Sequence, residues 1–330
     1  YSQEVYRKFF FAEMFSEEVQ SELAIVERYV LPSKRVAIHL RGGDIIYGKT
    51  RLVANFGRLK SLSVPLADVL CQRFLDKGYT VLVFGATSRD LKYLSDKYQD
   101  VLTVDDLDCN DGSPHIRMIR EVALMSDCEL LISSGDSAVT KLAELVGRAK
   151  LLTVPGWISI EEEHQILLES VGMFGLRHLD PLQQAYANYC LFATAPETEN
   201  FGVLGEYVRL ASDCDPDSVA YALLAFFGAL AAGEYSLASN YRARLEKVAG
   251  KSTHVFIENA IEDNRFIRFD DPSTIRILKH VTELTDVDQC FRNEASALLH
   301  LYRPEVRKGH GLGIRSGLKR VVMRLIRLFR

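Results

Sequence analysis

Between Arg35 and Gly156 the chain alternates short apolar runs with stretches of helical spacing, and this alternation restricts its fold more than any other feature. The runs RVAIHL (35–40), TVLVFG (80–85), DVLTV (100–104), CELLIS (128–133) and KLLTV (150–154) are brief, apolar and rich in β-branched residues. Strands buried on both faces have this character. Between them, 65–77, 88–98, 113–126 and 137–146 place apolar residues at helical intervals, and Gly78 and Gly147 stand where C-terminal caps belong. Repeated βα units predict an α/β fold built on a doubly wound parallel sheet with right-handed crossovers.

After Gly156 the strand signal fades. From about 181 to 300 the chain carries helix-length amphipathic runs, among them DPDSVAYALLAFFGALAAGEYSLASNYRARLEKVAG (215–250), which reads as a helical hairpin. Asp215 or Asp217 is expected to cap its first helix and Gly233 to mark the turn. GEYSLASNY is similar to part of one tetratricopeptide unit, but no second copy follows at a period of about 34 residues. We therefore expect a helical accessory domain rather than a repeat array. The resulting partition is an N-terminal helical segment (1–34), a Rossmann-like domain (35–178), an all-helical accessory domain (179–302) and a basic amphipathic tail (303–330).

With 48% hydrophobic and 25% charged residues among 330, the composition is that of an ordinary folded protein. No apolar run reaches the roughly 18 residues that span a bilayer, and YSQEVYRKFFFAEMF lacks the uninterrupted apolar core of a signal peptide. A cytoplasmic protein is expected. Its start at Tyr1 rather than Met leads us to expect a piece of a longer protein. Cys71, Cys109, Cys128, Cys190, Cys214 and Cys290 form no CxxC pair and read as reduced thiols. The formal net charge of −4 hides an asymmetry, because 303–330 carries nine Lys or Arg against Glu305 alone. SGLKRVVMRLIRLFR (316–330) sets Leu318, Val321, Val322, Leu325 and Leu328 on one helical face and Lys319, Arg320, Arg324 and Arg327 mainly on the other. Such a helix suits the interface of an anionic membrane, at the inner face of the cytoplasmic membrane here, or docking on the acidic body.

In an open parallel sheet, ligands bind beyond the carboxyl ends of the strands. The loops there are RGGD (41–44), GATS (85–88), DDLD (105–108), SGDS (134–137) and PGW (155–157), mostly small and polar. Ser134, Asp136 and Ser137 lie where a strand hands over to a helix N-terminus, which favours an anion and equally calls for plain N-capping by Asp136 or Ser137. Arg41 carries a rigid guanidinium fork suited to a diphosphate, or to a structural ion pair with Asp44. Gly42 and Gly43 permit close approach of a ligand and a positive φ for a sharp turn. His39, two residues before Arg41, is expected on the same strand face, either as a satisfied core histidine or as part of the site.

IHLRGGD resembles the H-x-R-x-G-D signature of the α1,2- and α1,6-fucosyltransferases and protein O-fucosyltransferases, which have GT-B architecture and use GDP-fucose. IREVALMSDCELLISSGDSAVTKLAELVG (119–147) is similar to their second conserved region, and with GATS the likeness spans about 34–156. The resemblance implies that Arg41 contacts the donor diphosphate and stabilises the leaving group, with supporting roles for His39 and Asp44. It implies donor contacts from Gly42, Gly43, Gly85, Thr87, Asp105, Ser134, Asp136 and Ser137. It implies no metal and no cofactor, the nucleoside-diphosphate sugar being a substrate, so Asp105 and Asp106 read as lying near the nucleoside or in solvent rather than as metal ligands. Family members carry a sizeable acceptor domain before this motif, so a missing N-terminal domain is expected as a partner.

The first expectation is therefore a metal-independent glycosyltransferase that moves a sugar to a bacterial surface polysaccharide, lipopolysaccharide or lipid-linked acceptor. No nucleic-acid partner is expected. The alternatives are a non-catalytic scaffold whose helical domain binds proteins, and a polysaccharide pyruvyl-type transferase, against which stands the lack of an R-L-H element near 132–137. Glu161, Glu162, Glu163 and His164 are the nearest candidates for an acceptor base, and an exposed helix start is the plainer reading. GHGLGIRSG (309–317) follows no strand and reads as a hinge.

Overall fold

The computed structural model describes residues 34–48, 58, 60–85, 88–104, 106, 114–135, 137–250 and 271–300. Thr87, Asp105, Asp136, Cys109, the N-terminal segment up to residue 33, the hinge at 309–317 and the basic tail lie outside them, and of Asp44 only the backbone is described.

Five strands, β1 (Arg35–His39), β2 (Thr80–Phe84), β3 (Val101–Thr103), β4 (Leu130–Ser133) and β5 (Lys150–Thr153), form one parallel sheet in the order β3-β2-β1-β4-β5. The apolar runs explain this. Val36, Ile38, Val81, Val83 and Ile132 face one buried cluster while Ala37, Leu82, Phe84 and Leu131 face another, so β1, β2 and β4 each bury both of their sides. The chain winds outward through β2 and β3 and then returns past β1 to lay down β4. Strand order thus reverses between β1 and β4, which makes their carboxyl ends the switch point of the sheet.

The crossovers are α1 (Val64–Leu75), α2 (Ser88–Lys97), α3 (Pro114–Ser126) and α4 (Ala138–Val146). Gly78 has φ 74, the left-handed conformation expected after a helix. Gly147 departs from expectation. Its backbone is extended rather than left-handed, and a Cβ there would lie 2.1 Å from the Ser126 carbonyl oxygen, which is engaged by the amides of Arg148 and Ala149. Close approach between α3 and α4 demands that glycine, not a capping φ.

Beyond β5 a helical turn at Val154–Trp157 leads into α5 (Ile160–Phe174). Then follow α6 (Pro181–Thr194), α7 (Phe201–Cys214), α8 (Val219–Ala231), α9 (Tyr235–Ala249), α10 (Pro272–Glu283) and α11 (Gln289–His300). All side chains from Ala220 to Ala231 are buried, so α8 is enclosed by its neighbours, consistent with its apolar sequence on every side. Gly233 turns the α8–α9 hairpin with φ 75, as expected. The cap of α8 is Ser218, whose hydroxyl accepts from Tyr221 N; Asp215 instead ends α7. The helix begins later than its acidic residues imply because Asp215 is buried at the preceding helix end and its carbonyl accepts the Ser218 amide. One apolar core runs from β1 and α1 through α5 into α6, α7, α8 and α10. Among the described residues no helix is long and apolar enough to cross a membrane.

Candidate functional site

β1 and β4 lie side by side with His39 opposite Ser133 at the last register position, so the loops after these strands leave the sheet as neighbours. Gly85, directly after β2, completes the rim: a Cβ there would lie 3.6 Å from Arg41 N. Three loops separated by many residues in the sequence are thus brought to one edge by the parallel winding.

The sharp turn sits on Arg41 itself, with φ 49, while Gly42 is right-handed helical. The expectation that Gly42 or Gly43 supplies a positive φ is therefore corrected. Among the described residues Arg41 is alone in being a non-glycine with positive φ, a conformation that costs on the order of 1 kcal/mol or more. Hydrogen bonds on both sides enforce it. Leu40 N donates to Phe84 O at 2.8 Å, and Leu40 O accepts from Leu62 N at 3.0 Å and Ser61 Oγ at 2.8 Å. Beyond Arg41 a single π-helical turn, Gly43–Tyr47, begins, with Ile46 N donating to Gly42 O. Strand pairing stops at His39, so strand alternation does not by itself place Arg41 and His39 on one face. The charge of Arg41 nonetheless acts on His39.

Three polar side-chain atoms at this switch point are buried and have no hydrogen-bond partner: His39 Nδ1, Ser134 Oγ and Ser137 Oγ. Ser134 and Ser137 are each 1% exposed and His39 5%. Ser137 occupies the N-cap position of α4, where a serine hydroxyl ordinarily accepts from an amide of the first turn, yet it makes no such bond. Capping by Ser137 therefore does not account for this loop. Its carbonyl is used instead, accepting from Lys141 N and from Thr140 Oγ1, both at 3.1 Å. Thr140 Oγ1 also lies 3.4 Å from Ser133 Oγ, a contact that sequence reading did not find because it joins a strand end to the third residue of the following helix.

Burial, and then the nearby Arg41 charge, lower the His39 imidazole to about 4. At neutral pH His39 is uncharged and offers one N–H donor and one acceptor. Arg41 is half-buried at the rim. A helix N-terminus without a side-chain cap from Ser137, two hydroxyls, a neutral imidazole and a guanidinium together form a set of donors suited to an oxyanion.

A second polar group at the rim was not legible in the sequence. Tyr47, at the end of the π turn, donates to Asp180, which caps α6, and lies near Asp90 in the first turn of α2. Gln183 Nε2 donates to Asp90 at 2.6 Å. An acid before Pro181 at a helix start was the available signal.

The other candidates have structural employment. Asp106 accepts from Thr103 N and Thr103 Oγ1, both at 2.7 Å, closing the turn after β3. Glu161 and Glu162 are exposed at the start of α5, whereas Glu163 is buried in an ion pair with Arg58 at 2.7 Å. His164 is buried with Nδ1 3.1 Å from Thr194 Oγ1. Among the described residues no group of three or more His, Cys, Asp or Glu side chains is placed to hold a metal ion. No protein-family model, no curated protein and no solved structure matches the chain.

Proposed function

We infer that the chain binds the diphosphate of a nucleotide sugar at the β1/β4 switch point and transfers the sugar to an acceptor hydroxyl. One observation carries the reading: polar atoms of His39, at the end of β1, and of Ser134 and Ser137, in the loop that follows the neighbouring strand β4, are buried without partners. Leaving such groups buried and unpaired costs on the order of 1 kcal/mol or more each, a cost that a phosphate oxygen removes.

In the reaction the bond from the sugar C1 to the β-phosphate oxygen breaks, a bond from C1 to the acceptor oxygen forms, and the acceptor hydroxyl releases its proton. The nucleoside diphosphate departs with the bonding pair. Negative charge grows on the β-phosphate, opposite the Arg41 guanidinium and the positive end of α4, whose groups are already oriented. The Ser134 and Ser137 hydroxyls and the neutral imidazole of His39 add donors. A donor resembling GDP-fucose follows from the IHLRGGD likeness, as does a glycan or lipid-linked acceptor.

Thermal protection tests this reading. GDP, UDP and ADP at millimolar concentration should include at least one that raises the melting temperature, since ligand at about 100 times its Kd stabilises by about 2.7 kcal/mol. If none does, a scaffold without nucleotide binding replaces the transferase. We further propose that residues 316–330 bring the protein to an anionic membrane. Flotation with anionic liposomes should be lost on their deletion and weakened by salt, and undiminished binding by the shortened chain would end the idea.

A further inference from the structure

Beside the diphosphate site, four polar groups from three elements meet at the rim: Tyr47 on the π turn, Asp90 on α2, and Asp180 with Gln183 at the start of α6. Asp90 is 5%, Asp180 8% and Gln183 1% exposed. Asp180 Oδ1 accepts from the amides of Leu182 at 2.9 Å and Gln183 at 3.2 Å, and Asp180 Oδ2 accepts from the Tyr47 hydroxyl. Asp90 Oδ2 accepts from Gln183 Nε2, and Asp90 Oδ1 lies 3.4 Å from the Tyr47 oxygen.

Counting protons shows what the group needs. A phenol has a single proton, and Tyr47 gives it to Asp180. With both carboxylates ionised, Asp90 Oδ1 would face only the lone pairs of the Tyr47 oxygen, with a second negative charge close by. A proton on Asp90 Oδ1 completes the chain: Asp90 donates to Tyr47, and Tyr47 donates to Asp180. We propose that this protonated Asp90–Tyr47–Asp180 chain, braced by Gln183, positions the Arg41 loop for diphosphate binding, and that ionisation of Asp90 loosens it.

The loop is a fitting target. Arg41 is held in a costly conformation, and the turn that follows it ends at Tyr47, so the network anchors one end of a strained segment. Electrostatics agrees in sign. Burial, then the charge of Asp180, pushes the Asp90 carboxyl up to about 6, against smaller opposing effects of Gln183, Tyr47 and Arg89. Those four are the charged and polar groups acting on Asp90 across α2, the π turn and α6. Because the closed loop holds the proton more tightly than an opened one, closure is favoured at acid pH and weakens as pH rises through about 6. In this account Tyr47 and Asp90 are positioning residues.

For its ligand the inference rests on the proposed function, but its first readout does not. Amide hydrogen exchange of residues 42–48, corrected for the intrinsic rate, is measured in wild type, Asp90→Asn and Tyr47→Phe at pH 4.5 and 7.5. Wild-type protection should fall on the order of tenfold across that range. Asp90→Asn should hold its protection at both pH values, because the asparagine amide donates to Tyr47 as the carboxylic acid does. Tyr47→Phe should be poorly protected throughout. Should Tyr47→Phe fail to fold, the comparison of wild type with Asp90→Asn decides alone. Equal pH dependence in those two overturns the proposal. GDP affinity is the second readout: the ratio of wild-type to Asp90→Asn Kd, which cancels titration of the ligand phosphate and of His39, should rise on the order of tenfold between the two pH values. The expected exchange pattern in a protein that binds no nucleoside diphosphate would sustain the loop anchor and remove the transferase; GDP binding without that pattern would do the reverse.

Discussion

Replacing Ser137 by alanine should make the free protein more stable and its diphosphate binding weaker. Ser137 Oγ is buried, 1% exposed for the residue as a whole, and has no hydrogen-bond partner. A hydroxyl buried without a bond costs about 1 to 3 kcal/mol. Alanine removes that cost and loses only the small dispersion contacts of one oxygen, so a gain of about 1 kcal/mol is expected, or about 2 °C in Tm for a chain of this size. Ser134→Ala should behave alike, for the same reason. Thr140 supplies the contrast: it is as buried, but its hydroxyl donates to Ser137 O at 3.1 Å, so Thr140→Val should lose about 1 kcal/mol. The assay is urea unfolding of the three variants without ligand, followed by calorimetric titration with GDP. There Ser137→Ala should lose about tenfold or more in affinity, as expected for a hydrogen bond to a charged oxygen. If Ser137→Ala and Ser134→Ala each destabilise the free protein by 1 kcal/mol or more, these hydroxyls are satisfied in it and the argument for a site held ready for an anion fails.

Arg41→Lys keeps the charge but loses the fork; transfer rate should fall at least tenfold, about 1.4 kcal/mol, and unchanged steady-state rates would show that the fork is not used. His39 gives a pH signature. Its folded value of about 4 lies below the 6.5 of a free imidazole, so the unfolded chain takes up a proton first. His39 therefore favours the fold fully above about 6.5 and withdraws about 3 kcal/mol as pH falls through 4. Asp90 and Asp271, each raised to about 6 chiefly by burial, act in the opposite sense over an overlapping range. His39→Gln isolates the imidazole: the wild-type advantage over it in urea midpoint should shrink between pH 7 and pH 4, and a constant difference would contradict a buried neutral histidine. Gly147→Ala should lose about 3 kcal/mol or more, seen as a lower urea midpoint, because its methyl group would meet the Ser126 carbonyl at 2.1 Å; a loss under 1 kcal/mol would mean that α3 and α4 separate easily.

The sheet was readable because β-branched runs such as TVLVF bury both faces, a requirement that leaves few alternatives for residues. The rim followed, since parallel winding puts RGGD and SGDS after neighbouring strands whatever their loops do. Local conformation was less legible. A glycine pair beside Arg41 invited a positive φ on glycine, but bonds to Leu40 and Gly42 fixed the strain one residue earlier. Likewise Ser137 stands at an N-cap and does not cap, and Ser218 caps where Asp215 and Asp217 were the better sequence candidates. The Tyr47 network joins residues far apart in the chain, and no local pattern encodes it.

Amide hydrogen exchange of the wild-type chain with and without saturating GDP tests the central claim most directly, because it locates the ligand rather than merely detecting it. Slower exchange concentrated in 41–48 and 134–141, the segments that leave β1 and β4, is the result expected of a diphosphate held at the switch point. Protection confined to other segments, or none in either of these two, would contradict it.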